Sequence, residues 1–74
     1  MNKEEMLDIL TELGRCMQKR KTKAMHKYQS YGGVENRDNY GLASGGITTV
    51  CAIAELFEFC TQEEMRKRIE EETT

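Results

Sequence analysis

The chain has 74 residues, a formal net charge of −2 and an isoelectric point near 5.4. That length makes one small domain burying only about 60% of its unfolded surface, so disulfides, metal or self-association are expected to help it. The acidic balance excludes a general nucleic-acid coat, and the longest apolar run, Ile47 to Cys60, is broken by Thr48, Thr49, Glu55 and Glu58 and is too short for a bilayer.

No apolar stretch follows MNKEEM, and the three cysteines, Cys16, Cys51 and Cys60, are an odd set. A cytoplasmic chain with reduced thiols is expected, with no membrane association. Self-association then remains as the source of added stability.

Asn2 with Glu5 three positions on is a capping arrangement, because the amide oxygen accepts from a free N–H while the carboxylate favours the positive helix end. A first helix over about 3–31 follows. Met6, Leu10, Leu13, Met17, Ala24, Tyr28 and Tyr31 fall within a stripe about 60° wide at helical spacing. Gly14 weakens this helix, and a bend is expected there, while Gly32-Gly33 ends it.

Gly32 to Arg37 is read as the connection, with Asn36, Asp38 and Asn39 as cap residues, so the second helix is predicted over about 38–60. Its stripe is Tyr40, Ala43, Ile47, Val50, Ala54 and Phe57, and it continues through Gly45 and Gly46 without a break in phase. Apolar residues occupy most of this helix's circumference, and other subunits are expected to cover them. Gly41-x-x-x-Gly45 suits a close helix crossing, although a short loop over Gly41 to Gly46 is the competing reading.

Thr61 with Glu64 is a capping box that opens a short helix over about 62–72. Glu63–Lys67, Glu64–Arg68, Arg66–Glu70, Lys67–Glu71 and Arg68–Glu72 are opposite charges at i,i+4. The fold class is therefore all-α: an antiparallel helical hairpin plus a short C-terminal helix, one domain over 1–74, assembling as a homo-oligomer.

Function is less legible. Arg15, Lys19, Lys23 and Lys27 form an i+4 row joined by Arg20 and Lys21, with no acidic residue between Leu13 and Glu35. Such a row repels itself, so it calls for an anion, whether solvent, acidic residues of a neighbouring chain or a ligand. Tyr28, Tyr31 and Tyr40 bracket the glycine segment, where aromatic faces could stack on a base. The expected ligand-binding residues are Lys19, Lys23, Lys27, Tyr28, Tyr31, Arg37 and Tyr40 at the hairpin tip. The expected ligand is small, phosphorylated and nucleotide-like, held by a non-catalytic protein in a sequestering or sensing role.

The competing reading is a small regulator or inhibitor that docks on a larger protein through its basic first helix or acidic third helix. Direct nucleic-acid binding is disfavoured, because no helix-turn-helix turn stands at the required place and the acidic tail opposes it. The glycine segment matches neither the dinucleotide fingerprint nor the P-loop. His26 and the cysteines have no ligand or triad spacing, so neither an enzyme nor a metal or cofactor site is expected.

Overall fold

A computed structural model describes residues 2–71 and contains three helices: α1 (Lys3–Tyr31), α2 (Val34–Leu56) and α3 (Gln62–Glu70). α1 starts where Asn2 caps it, with the Glu5 N–H donating to Asn2 Oδ1 at 2.9 Å and Asn2 Nδ2 donating to Glu5 Oε1 at 3.1 Å. Its 29 residues run through Gly14 as a single element. No helix among the described residues is long and apolar enough to cross a membrane.

The turn between α1 and α2 is shorter than the sequence suggests. Gly32 and Gly33 both adopt positive φ, 68° and 98°, and reverse the chain by themselves. The second helix therefore starts at Val34 rather than at Asp38. Asn36 is already inside it, and its side-chain amide donates back to the Gly32 carbonyl at 2.8 Å.

α2 also stops four residues before the expected Cys60. Glu58 takes a left-handed conformation, φ 59°, which turns the chain so that the Phe59 N–H donates to the Ala54 carbonyl at 2.8 Å. Phe59 and Cys60 thereby fold back against the core, which a continued helix would not allow. The segment Gly41 to Gly46 is helix throughout, not loop.

Thr61 opens α3 with a complete capping box, the Glu64 N–H donating to Thr61 Oγ1 at 3.1 Å. The helix ends at Glu70; residue 72, where its end was expected, lies outside the described residues. Lys67 and Glu63 make the expected i,i+4 contact at 4.0 Å. In place of the expected contact with Glu64, Arg68 reaches across to Glu4 and Asp8 of α1, at 3.8 and 3.9 Å, while the Glu64 carboxylate is engaged in the cap with Thr61; the expected Arg68–Glu72 pair lies outside the described residues.

The core gathers Leu7, Leu10, Ile47, Val50, Cys51, Ala54, Met65 and Ile69. On α1 the buried residues are Leu7, Leu10, Thr11, Gly14 and Ala24, a sector rotated away from the predicted stripe. Leu13, Tyr28 and Tyr31 are exposed. The rotation has a physical cause: α3 lies against the small side of α1, where Gly14 admits Ile69 and Thr11 meets Met65. Thr11 satisfies its buried hydroxyl by donating to the Leu7 carbonyl at 2.6 Å. Arg15, part of the predicted basic row, is likewise half-buried, and its guanidinium donates to the Arg68 carbonyl at 2.9 Å. It tethers α3 instead of facing a ligand.

Candidate functional site

Toward the hairpin end, an open groove of about 420 Å³ lies between α1 and α2. Arg20, Lys23 and Lys27 line its α1 side, at a spacing of three and four that keeps them on one flank of the helix. Asn36 and Asn39 line the α2 side, and Met17, Ala24, Leu42 and Ala43 form an apolar floor. The antiparallel pairing of the helices produces this arrangement: Gly46 approaches Met17 so closely that a Cβ there would lie 3.0 Å from the sulfur, and the chains run from that contact toward the Gly32-Gly33 turn.

The groove is electropositive for two reasons. No carboxylate lines it, and among the described residues none lies within ion-pair distance of Arg20, Lys23 or Lys27. The cations whose carboxylate contacts are seen, Arg15, Arg37, Lys67 and Arg68, stand elsewhere. A cluster of unneutralised cations beside neutral amide donors attracts an anion, and the apolar floor leaves room for an uncharged moiety attached to it.

Comparison with protein-family models, curated proteins and solved structures finds no match.

The structure distributes the expected ligand-binding residues over several surfaces. Lys23 and Lys27 stand in the groove. Lys19 lies with Lys23, Gln18, Thr22 and His26 along a shallow depression on the outward side of α1. Tyr28 and Arg37 border a smaller cleft of about 180 Å³ at the turn, with Gly33 and Val34. Tyr31 projects into solvent, 87% exposed. Tyr40 lies on the other flank of the helix pair, its ring 5.6 Å from the Lys21 ammonium.

Arg20, Asn36 and Asn39 belong to the groove but not to the expected set. A signal for them existed: Arg20, Lys23 and Lys27 share a helical flank, and Asn36 and Asn39 are three apart. The asparagines also have the chemistry of caps, and the lysine row extends onto the adjacent flank. Helical phase alone cannot say which flank faces a neighbouring helix.

Burial raises the thiol pKa of Cys51 above its ordinary value of 9.0; Arg66 partly offsets the rise, while Cys60 and Glu70 add to it. Cys60 is raised for the same leading reason. Among the described residues no three His, Cys, Asp or Glu side chains are grouped as metal ligands. His26 is on a different face from the groove.

Proposed function

We propose that the chain binds a small phosphorylated ligand, nucleotide-like in having an uncharged moiety beside its phosphate, in the α1–α2 groove and does not transform it. The supporting observation is the convergence of Arg20, Lys23 and Lys27 on one open groove with Asn36 and Asn39 opposite and no acid in the lining. Phosphate would be held by the cations through charge-assisted hydrogen bonds, and the floor of Met17, Ala24, Leu42 and Ala43 would receive the uncharged part. A groove of cations, amides and aliphatic groups is suited to holding an anion with an uncharged moiety attached. Sequestering or sensing is the role that fits such a site.

The test is thermal stabilisation by mono-, di- and cyclic nucleotides and by pyrophosphate, followed by titration calorimetry at two salt concentrations. A binding ligand raises the melting temperature according to its concentration over Kd, and its affinity falls with salt. Lys23→Glu and Lys27→Glu should abolish the effect, whereas Lys19→Glu, on the outward flank, should leave most of it. A panel that never moves the melting temperature, or a loss equal in all three variants, refutes the groove as the site. A protein partner captured by the wild type and lost with Lys23→Glu, against a negative panel, would favour the regulator reading instead.

A further inference from the structure

The outward face of α2 is uncharged over an unusual length: from Gly41 to Ala54 the helix contains no Asp, Glu, Lys or Arg. Leu42, Gly45, Thr49, Ala52 and Leu56 recur at alternating threes and fours and lie within a sector about 80° wide, turned away from the core. Leu42 and Leu56 are 74% and 77% exposed, and the space where side chains of Gly41 and Gly45 would stand is empty. The hydroxyls of Thr48 and Thr49 donate to the Ser44 and Gly45 carbonyls of their own helix, at 3.2 and 2.9 Å. They are thus satisfied internally, and the stripe presents little polar demand to a neighbour.

We infer that this stripe is the contact surface of a two-fold dimer, with α2 packed antiparallel on α2 of a second copy. The order of sizes identifies the occupant. Read outward from Thr49, the stripe is small then Leu in both directions, Gly45 and Leu42 one way and Ala52 and Leu56 the other. A two-fold axis through Thr49 therefore sets Leu42 against Leu56 of the partner subunit and Gly45 near Ala52 of the partner subunit, the self-complementarity an isologous interface requires. The small residues let the backbones approach closely enough for the leucines to interlock.

The flanking charges select the antiparallel direction. Arg37 and Glu55 lie about five helical turns apart, on the same edge of the stripe. Antiparallel pairing brings Arg37 within combined side-chain reach of the partner subunit's Glu55; parallel pairing would leave the two about five turns, roughly 27 Å, apart along the helices. From Leu42 to Leu56 the stripe is about 21 Å long, and a contact one helix wide over that length falls short of the roughly 1,200 Å² of a standard interface. The dimer is accordingly concentration-dependent. The stripe shares Leu42 with the groove but none of the groove's cations, and the dimer's readout is mass.

Sedimentation velocity of the full chain from micromolar to millimolar concentration tests this. The weight-average mass should climb from monomer toward dimer and stop there. Gly45→Glu places a carboxylate at the centre of the stripe without a clash inside the subunit, so it should leave the circular dichroism spectrum unchanged and hold the protein monomeric. Arg37→Glu and Glu55→Arg should each weaken the dimer, and the double variant should recover it. A wild type that stays monomeric throughout, a plateau above dimer, a Gly45→Glu variant that still dimerises, or a double variant no better than the singles overturns the proposal.

Discussion

Gly14 of α1 and Ile69 of α3 occupy one another's space: a Cβ on Gly14 would come within 2.6 Å of Ile69 Cγ1, closer than carbon atoms approach. Both residues are buried, Ile69 at 1% exposure. The glycine that weakens the first helix as an isolated element is thus the residue that lets the third helix dock.

Gly14→Ala should therefore destabilise the protein, against helix propensity. Alanine would favour an unpacked helix by about 1 kcal/mol, but overpacking a filled contact costs about 1–3 kcal/mol. Urea denaturation should show a net loss, and Ile69→Val in the same chain should recover part of it. Gly41→Ala is the control. Nothing stands within 4 Å of its absent side chain, so stability measured at dilute concentration should rise by about 0.5–1 kcal/mol.

Glu58→Gly should stabilise the protein by about 1 kcal/mol, because Glu58 holds a left-handed backbone that glycine adopts without penalty. The turn it forms is required in either case, since Phe59 and Cys60 reach the core through it. Glu58→Val should destabilise by a similar or larger amount, a β-branched residue being least tolerant of positive φ. Thermal denaturation of the three proteins checks the ordering.

Thr61→Ala removes the acceptor for the Glu64 N–H and should cost about 1 kcal/mol. Hydrogen exchange should localise the loss to α3, with amides of residues 64–69 exchanging faster while those of α1 residues 7–11 change less. Uniform acceleration across all helices would show instead that α3 unfolds only with the whole domain.

The thiols make a pH prediction. The folded-state pKa of Cys51 is raised by burial, so the unfolded chain ionises this thiol at lower pH than the folded one does. Its contribution to stability is full below pH 9.0, the ordinary thiol value, and is lost as pH rises through the higher folded value. Urea midpoints should thus be insensitive to this group near neutrality and fall above pH 9.0, less steeply in Cys51→Ala. At neutral pH a thiol reagent should modify exposed Cys16 first and buried Cys51 only on unfolding.

Much of the fold was readable along the chain because its start and stop signals act locally. Asn2 with Glu5, Thr61 with Glu64, and Gly32-Gly33 are each satisfied or adopted within a few residues of one another. What the residues did not disclose were boundaries set by distant contacts. Asn36, Asp38 and Asn39 have the chemistry of caps, yet two glycines suffice for the turn and α2 begins before them. The helix ends at Leu56 because Phe59 and Cys60 have a core to join. In the groove, Arg20, Lys23 and Lys27 were legible as part of a basic row, whereas the groove membership of Arg20, Asn36 and Asn39 became recognisable only once α1 and α2 were paired.

The sequence by itself determined that this is an all-α chain of three helices with a basic segment on the first, because capping, glycine turns and charge depend on neighbours in the chain. The tertiary structure decided which sector of each helix is buried and which cations share a groove. Periodicity weighted by large apolar residues pointed to Leu13, Tyr28 and Tyr31; packing chose Thr11 and Gly14, because close contact between helices depends on where a partner fits rather than on how apolar a residue is.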